Sequence, residues 1–324
     1  MKAIRIHETG GPEVLRLEEV ETPEPLEGQV RIKVAAAGVN YADIAQRNGA
    51  YLTPTKLPTI LGVEVAGMVD AHGPGVSSPP IGTRVAAMVA RGYAEYVLTQ
   101  PGGLIPLPDE LDFVRAAALP VQGITAYQLV RDSAQLQPGE SVLVHAAAGG
   151  VGTMAVQIAK LMGAGTVIGT AGSSAKLELA RRLGADVVVN YREEDWVDQV
   201  RAATGNEGVD VILEMVGGDI AEQSLNLVTE FTGRMVIFGA AGGEPARISS
   251  AKLMQRNIAV IGYWLAPNLG RTDRIAQATN DLFKYLAAGQ LEIIVGQTYP
   301  LAHVAEAHRA LSDRSTTGKV VLTV

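Results

Sequence analysis

The middle of the chain alternates short apolar runs with amphipathic segments. Six β-branched runs recur there at intervals of roughly 20–25 residues, the spacing of strand–helix units. They start at Ser141, Thr166, Val187, Val209, Met235 and Ile258. The runs are nearly continuous in apolar residues, which is typical of parallel strands covered by helices on both faces. Between two of them, the segment 175–183 places its apolar residues on one helical stripe. The pattern predicts a doubly wound parallel sheet, and thus an α/β domain, over residues 122–266.

The flanking segments follow a different pattern. Residues 1–120 are rich in Pro and Gly and alternate over short runs such as 30–34 and 94–97, which predicts mainly antiparallel β structure. A helix is predicted around Arg274–Ala287, and the apolar tail Lys319–Val324 reads as a strand that returns to the first domain. We therefore expect residues 1–121 and 267–324 to form one mainly-β domain, with the domain 122–266 inserted in it.

Composition narrows the classes of function. The chain has 324 residues, 47% of them hydrophobic, with no Cys and a formal net charge of −7. No Cys excludes disulfides, thiolate nucleophiles and cysteine-ligated metal sites, and the acidic balance argues against binding nucleic acid. The longest apolar stretch, Leu143–Ala159, is interrupted by Gly and polar residues, and the start lacks the apolar block of a signal peptide. We therefore expect no membrane span and a cytoplasmic protein.

A glycine-rich turn follows the first run of the inserted domain. Against the pattern Gly-x-Gly-x-x-Gly, it has Ala147, Gly149 and Gly152 at the marked positions. Gly149 would let the backbone approach a pyrophosphate, and Gly152 would let the next helix pack on the strand. That helix, starting near Val151, would offer unpaired N–H groups to the phosphates. Because strand, turn, helix and second strand follow in order, the turn predicts dinucleotide binding rather than a purely structural loop. The chain lacks the Gly-x-x-x-x-Gly-Lys-Ser/Thr pattern of phosphate-loop NTPases.

The end of the second predicted strand indicates which dinucleotide is bound. A site for NAD would have an acidic residue there to bind the ribose 2′-hydroxyl. Residues 169–176 contain no acid. The small residues around Gly172 leave room for a 2′-phosphate, Ser173 can donate a hydrogen bond, and Lys176 supplies a cation. The segment predicts NADPH as the cofactor, with a solvated helix lysine as the alternative interpretation of Lys176.

Motifs spread through the whole chain carry a resemblance to a known family. They are Ala37–Asp43, Arg47-x-Gly49-x-Tyr51, Pro58-x-x-x-Gly62-x-Glu64-x-x-Gly67, Leu119–Tyr127, Ala147–Gly152, Asn190–Arg192 and Thr317–Val321. In combination they resemble the zinc-independent quinone oxidoreductases related to zeta-crystallin, within the medium-chain dehydrogenase/reductase superfamily. The resemblance implies a GroES-like catalytic domain interrupted by a Rossmann domain. It also implies a homodimer, or a tetramer, that pairs through the last Rossmann strand, here around Ile258–Trp264.

The positions of zinc ligands distinguish branches of this superfamily. Zinc-dependent relatives carry Cys where Asn40 stands and His where Val63 stands, and the four-cysteine structural lobe is also missing here. His303 and His308 are five residues apart, which puts them off one helical face and makes them a poor ligand pair. The resemblance therefore implies a reaction without metal.

That reaction is hydride transfer from NADPH to a quinone or an α,β-unsaturated carbonyl compound. By resemblance, Asn40 lies near the nicotinamide ribose or the substrate, and Thr125 lies near the nicotinamide. Tyr51 is the expected hydrogen-bond donor to the acceptor's carbonyl oxygen, with a cleft-lining aromatic as the alternative. Tyr191 would flank the adenosine. The cofactor-binding residues implied by the resemblance further include Gly150, Val151, Val216, Phe238, Gly239 and Lys319.

Several alternatives stay open. Quinone reductases of the family often have Tyr where this chain has Ala45, which predicts a wider or less polar pocket here. This departure puts a preference for quinones in doubt. An enoyl-thioester reductase, with Tyr51 protonating the α-carbon, is a second hypothesis, and a non-catalytic NADPH-binding crystallin-like protein is a third. Glu64 is interpreted as a structural carboxylate, and Asp43 and Arg47, four residues apart on a helix, as an ion pair.

Overall fold

Two units make up the chain, and one is inserted in the other. The computed structural model describes residues 1–324 and divides them into Met1–Val121 with Ile293–Val324, and Gln122–Glu292. Residues 267–292, assigned from the sequence to the outer domain, group with the second unit instead. The reason is the helix Thr272–Ala287, which buries Ala278 and Leu282 and whose Asp281 accepts a hydrogen bond from the Tyr127 hydroxyl at 2.5 Å.

Strands and helices alternate most regularly in the second unit. The strands are β1 (Lys2–Ile6), β2 (Arg16–Glu19), β3 (Val30–Val39), β4 (Thr59–Ile60), β5 (Glu64–His72), β6 (Arg84–Met88), β7 (Tyr96–Thr99), β8 (Leu104–Pro106), β9 (Ser141–Val144), β10 (Thr166–Ala171), β11 (Val187–Asn190), β12 (Val211–Glu214), β13 (Arg234–Ile237), β14 (Ala259–Gly262), β15 (Val295–Pro300) and β16 (Lys319–Thr323). The helices are α1 (Tyr41–Asn48), α2 (Phe113–Ala116), α3 (Pro120–Gln128), α4 (Gly150–Leu161), α5 (Ser174–Arg182), α6 (Trp196–Ala203), α7 (Gly218–Leu225), α8 (Ser250–Arg256), α9 (Leu265–Asn268), α10 (Thr272–Ala287) and α11 (Val304–Ser312).

The first unit is built on antiparallel β structure. Seven strands form one sheet in the order β15-β16-β3-β5-β6-β8, with β7 also paired to β3, and β2-β1-β4 form a second sheet. The tail strand β16 lies antiparallel to β3, with Val320 opposite Val39, which confirms the predicted return of the tail. Alternate residues of these strands form a core that includes Ile4, Val65 and Leu322.

The second unit contains the predicted six-stranded parallel sheet. Its strand order is β11-β10-β9-β12-β13-β14. This is the Rossmann order, in which two three-stranded halves meet between β9 and β12. Leu143, Ile212 and Met235 are fully buried in its core, as expected for strands covered on both faces. The switch point between the halves places the carboxyl end of β9, and the glycine-rich turn after it, where dinucleotides bind in such folds.

None of the helices is both long enough and apolar enough to span a bilayer.

Candidate cofactor and catalytic sites

The turn between β9 and α4 has the geometry of a phosphate-binding turn. Ala146 adopts a left-handed conformation with φ 50°, and its carbonyl accepts the N–H of Gly149 at 2.8 Å. Gly149 caps α4, which starts at Gly150, one residue before the expected Val151. The first N–H groups of a helix have no acceptor within the helix, and its dipole makes that end positive. The turn therefore presents donors and positive potential to an anion.

Gly152 makes close packing of this turn possible. A Cβ at this position would lie 2.2 Å from the carbonyl oxygen of Ala146 and 2.8 Å from the Cα of Ala147. Both are backbone atoms that cannot move aside without distorting the turn. Glycine at position 152 therefore lets the start of α4 lie against the turn that follows β9.

Gln122 fills the space beside Gly150, a contact that sequence reasoning missed. A Cβ on Gly150 would lie about 2.0 Å from the Gln122 side-chain amide. Gln122 lies within the motif Leu119–Tyr127, and it is 9% exposed. A buried side-chain amide directly beside the glycine-rich turn could form a hydrogen bond with a ligand bound there. Only the three-dimensional contact with Gly150 distinguishes it from an ordinary helix residue.

The carboxyl ends of β10 and β11 bring together the residues predicted to read the adenosine end. Ala171 pairs with Asn190 across the two strands, so Gly172 and Tyr191 follow at the same edge. A Cβ on Gly172 would lie 2.8 Å from the Tyr191 hydroxyl. The exposed Ser173 caps α5, and Lys176 stands in the first turn of that helix. Gly172, Ser173, Lys176 and Tyr191 therefore all lie near the carboxyl ends of β10 and β11.

The residues predicted at the ends of β12 and β13 have engaged backbones. Glu214 is buried, and its Oε1 accepts the N–H groups of Val216 at 2.6 Å and Gly217 at 3.0 Å. Its Oε2 has no partner, and burial raises the pKa of this carboxyl. The N–H of Phe238 donates to the Glu214 carbonyl at 3.0 Å. Val216 and Phe238 can therefore offer only side chains or carbonyls to a ligand, and Gly239 is the second residue after β13.

In the first unit, Asn40 lies between β3 and α1 and contacts three ionisable side chains. Its N–H donates to Asp43 Oδ2 at 2.8 Å. Its Oδ1 accepts from Lys319 Nζ at 2.7 Å, and its Nδ2 donates to Glu64 Oε1 at 2.9 Å. Lys319 and Glu64 form an ion pair and are 1% and 0% exposed. Lys319, predicted to bind the cofactor, thus has its ammonium group enclosed between Asn40 and Glu64.

Glu64 agrees with its interpretation as a structural carboxylate. Its Oε2 accepts the N–H of Val121 at 2.8 Å, so both of its oxygens are occupied. A Cβ on Gly38 would lie 2.4 Å from Glu64 Oε1. Glycine at position 38 therefore leaves the room that the carboxylate occupies.

The predicted ion pair between Asp43 and Arg47 is wrong. Asp43 is fully buried and accepts a hydrogen bond from the Tyr93 hydroxyl at 2.8 Å. Arg47 instead donates to the carbonyl of Gly10 at 3.1 Å, and its NH1 lies 3.3 Å from His308 Nδ1. Burial raises the pKa of Asp43 to about 6. Helical spacing alone could not show that better-placed partners from other elements compete for both side chains.

The two remaining predicted catalytic residues lie on opposite sides of the unit boundary in sequence. Tyr51 follows α1 in the first unit and is half-buried, whereas Thr125 is in α3 in the second unit and is 7% exposed. Their predicted roles at the acceptor and the nicotinamide stay predictions.

Comparisons with known proteins agree with this architecture. Residues 26–109 match the alcohol dehydrogenase GroES-like domain, and residues 150–282 match the zinc-binding dehydrogenase domain. The chain is 40% identical to the quinone oxidoreductase of Lama guanicoe, over 99% of this chain and 97% of that relative. It belongs to the quinone oxidoreductase family of the medium-chain dehydrogenase/reductase superfamily. The predicted GroES-like and Rossmann domains are thereby confirmed as its fold class.

Solved structures of this family align along the whole chain. One is the Escherichia coli quinone oxidoreductase complexed with NADPH, with a TM-score of 0.94, 36% identity and full coverage of both chains. Another is the quinone oxidoreductase of Thermus thermophilus, solved alone and with NADPH, with a TM-score of 0.87 and 41% identity, again over both full chains.

Although residues 150–282 match a domain family named for zinc binding, the two positions that hold zinc ligands in zinc-dependent relatives have other residues here. Asn40 and Val63 occupy the two ligand positions, and the Asn40 amide already contacts Lys319 and Glu64. No group of three or more His, Cys, Asp or Glu side chains could hold an ion. His303 is exposed and lies 3.0 Å from Glu306, while His308 is buried.

Proposed function

We propose that the protein is an NADPH-dependent reductase that transfers hydride to a quinone or another α,β-unsaturated carbonyl compound without a metal ion. The observation that carries the proposal is the phosphate-binding turn at the amino end of α4, in a chain whose relatives are quinone oxidoreductases. Two structures of such relatives, from Escherichia coli and Thermus thermophilus, are described as complexes with NADPH. NADPH, when bound, supplies the hydride.

The residues of the second unit fit NADPH chemically. The pyrophosphate would accept hydrogen bonds from the first N–H groups of α4, where Gly149 and Gly152 keep side chains away from the turn. The 2′-phosphate would lie near Ser173 and Lys176, since no acidic residue follows β10 before α5. Gly172 leaves the space that the Tyr191 hydroxyl occupies, which allows Tyr191 to lie beside the expected adenosine end of the cofactor. NADPH rather than NADH is therefore the cofactor that we propose.

On the acceptor side, negative charge grows on the carbonyl oxygen as the β-carbon or quinone ring receives hydride. A positioned hydrogen-bond donor lowers this barrier, and removing one such donor typically slows turnover by on the order of 100-fold to 1,000-fold. We assign this donor to the hydroxyl of Tyr51. The proton that completes the reduced product then comes from Tyr51 or from water.

The test follows NADPH consumption with a panel of acceptors. The panel contains an ortho-quinone, a para-quinone, an alkyl enone and crotonyl-CoA, each measured again with NADH. Turnover of the quinones or the enone with NADPH supports the proposal. Turnover of crotonyl-CoA alone would favour an enoyl-thioester reductase, in keeping with the small Ala45. NADPH binding without any turnover would indicate a non-catalytic NADPH-binding protein.

We also propose that two copies pair through β14. This strand is at the edge of the six-stranded sheet, and its one neighbour there is β13. An edge strand presents unpaired N–H and carbonyl groups that a second copy can match. Light scattering coupled to size-exclusion chromatography should give the mass of a dimer. The N–H groups of Ala259 and Tyr263 donate to β13, so the N–H of Val260 faces the open edge, and replacing Val260 by proline should shift the mass to that of a monomer. A monomeric wild-type protein would refute the pairing.

A further inference from the structure

A buried ion pair in the first unit holds the side chain of Asn40 at both ends of its amide. Lys319 Nζ donates to Asn40 Oδ1 at 2.7 Å, and Asn40 Nδ2 donates to Glu64 Oε1 at 2.9 Å. We propose that Lys319 and Glu64 are positioning residues that fix the orientation of the Asn40 amide, and that Lys319 does not bind the cofactor itself. This inference rests on the proposed function, in which Asn40 contacts the nicotinamide ribose or the substrate.

The charges of the pair dictate which way the amide faces. An ammonium group has donors only and a carboxylate has acceptors only, whereas an asparagine side chain has one end of each kind. Turning the Asn40 amide over would place its NH₂ against the ammonium of Lys319 and its oxygen against the carboxylate of Glu64. Both hydrogen bonds would be lost in a region where the three side chains are 6%, 1% and 0% exposed. The amide is therefore confined to one of two orientations that its shape alone would allow.

The pair is itself held in place by the backbone. Glu64 Oε2 accepts the N–H of Val121 at 2.8 Å. Gly38 leaves the space that Glu64 Oε1 fills, since a Cβ there would lie 2.4 Å from this oxygen. The fixed carboxylate then fixes Lys319 and, with it, Asn40 Oδ1.

Stability alone is a weak reason for such a pair. Desolvation of two charges offsets most of their attraction, and apolar replacements of similar volume are often equally stable. The pair does, however, give orientation, which apolar side chains could not give. In the fixed orientation, Asn40 Oδ1 keeps one lone pair that the Lys319 bond does not use. That lone pair suits a hydroxyl donor on the ligand.

The enclosure of Lys319 argues against direct contact with the cofactor. Its side chain is 1% exposed, and its ammonium group contacts Asn40 and Glu64. Before the ligand binds, a lysine that contacts a cofactor phosphate would expose its ammonium group to solvent. Lys319 would thus affect NADPH only through Asn40.

The first experiment separates positioning from stability. Lys319→Met should lower both the melting temperature and kcat/KM, since it leaves Glu64 as an unpaired buried charge and removes the donor to Asn40 Oδ1. The loss in kcat/KM should be on the order of tenfold to a hundredfold, the effect of one charged hydrogen bond. In the double variant Glu64→Gln/Lys319→Met, the melting temperature should largely recover. The kcat/KM should stay low, because methionine cannot donate to Asn40. Recovery of both would mean a purely structural role and would overturn the proposal.

The second experiment asks whether Lys319 acts through Asn40. The Kd for NADPH, from fluorescence titration, and kcat/KM are measured for wild type, Asn40→Ala, Lys319→Met and the double variant, with the exposed Lys33→Met as control. In the wild-type background, Lys319→Met should raise the Kd for NADPH and lower kcat/KM. In the Asn40→Ala background, adding Lys319→Met should change neither value. Equal losses in both backgrounds would show that Lys319 contacts the ligand or acts elsewhere. The proposal would also be overturned if the single variant Asn40→Ala had the same Kd and kcat/KM as the wild type.

The proposed function can fail separately. A wild-type protein that binds NADPH but reduces no acceptor refutes the reductase assignment. The Kd for NADPH of the wild type, the two single variants and the double variant then still decides whether Lys319 acts through Asn40.

Discussion

Replacing the buried His145 by asparagine should flatten the loss of stability of the second unit in acid. The imidazole lies within hydrogen-bond distance of two hydroxyl groups, with Nδ1 2.9 Å from Thr170 Oγ1 and Nε2 2.8 Å from Ser224 Oγ. The edge of Trp196 packs at 5.8 Å between ring centroids. Burial lowers the pKa of His145 from 6.5 to about 4. The folded unit therefore keeps this ring neutral well into the acid range.

The size of the effect follows from the difference in bound protons. Between the unfolded pKa near 6.5 and the folded value of about 4, the unfolded chain holds a proton on His145 that the folded chain lacks. The stability contributed by the neutral ring is complete above the unfolded pKa and is lost as the pH falls. The slope is about 1.4 kcal/mol per pH unit, and the loss reaches about 3 kcal/mol by the folded pKa.

Urea unfolding followed by tryptophan fluorescence measures this slope in the right part of the molecule. The chain has two tryptophans, Trp196 and Trp264, and both belong to the second unit. His145→Asn should be less stable than wild type near neutral pH, because its shorter side chain leaves hydroxyl partners and space unfilled. Its stability should fall less steeply, by up to about 1.4 kcal/mol per pH unit, on acidification below about pH 6.5.

The exposed His303 in the first unit provides the matched control. His303→Asn should keep the wild-type slope. A wild-type slope in His145→Asn as well would mean that His145 is not the group that takes up the proton, and the reasoning from its burial would be refuted.

Three further predictions concern the proposed sites. Lys176→Glu should weaken NADPH binding by on the order of tenfold or more and leave NADH binding nearly unchanged, whereas equal losses would contradict a 2′-phosphate site. Gly152→Ala should abolish NADPH binding and destabilise the protein by about 1–3 kcal/mol in thermal unfolding, since the new Cβ meets the Ala146 carbonyl, while Gly102→Ala in open space should behave as wild type. Tyr51→Phe should lower kcat by on the order of 100-fold with an unchanged Kd for NADPH, and an unchanged kcat would favour a cleft-lining role.

The fold of the second unit could be predicted because its local patterns agree with one another. Each buried parallel strand is a continuous apolar run, and β9, the glycine turn and α4 follow in an order with few alternatives. The sequence predicts the fold less well where strands are short or where a helix packs against residues that are far away along the chain. Helix α10 is amphipathic, and its pattern does not say which surface covers its apolar face. The bond between Tyr127 and Asp281, 154 residues apart, ties α10 to the second unit.

The candidate site of the first unit was only partly predictable for the same reason. The sequence pointed to Asn40, Glu64 and Lys319 one at a time. Their contacts join β3, β5 and β16, and they span sequence separations of 24, 255 and 279 residues. No spacing rule connects residues so far apart, so the sequence could not show that these three side chains are in contact. The antiparallel pairing of β3 with both β5 and β16 is what brings the three together.

A chain of hydrogen bonds runs from Arg47 through His308, Tyr93 and Asp43 to the backbone of Asn40, and Arg47 sets its donor and acceptor directions. Arg47 has donors only, so its NH1, 3.3 Å from His308 Nδ1, makes that nitrogen an acceptor and leaves the ring proton on Nε2. Nε2 then faces the Tyr93 hydroxyl at 3.3 Å as a donor, and the hydroxyl donates in turn to Asp43 Oδ2 at 2.8 Å. Burial, helped by the charge of Arg47, lowers the pKa of His308 to about 3, which keeps this proton arrangement at neutral pH. Because Asp43 Oδ2 also accepts the N–H of Asn40, these hydrogen bonds hold the backbone of Asn40, while Lys319 and Glu64 hold its side-chain amide.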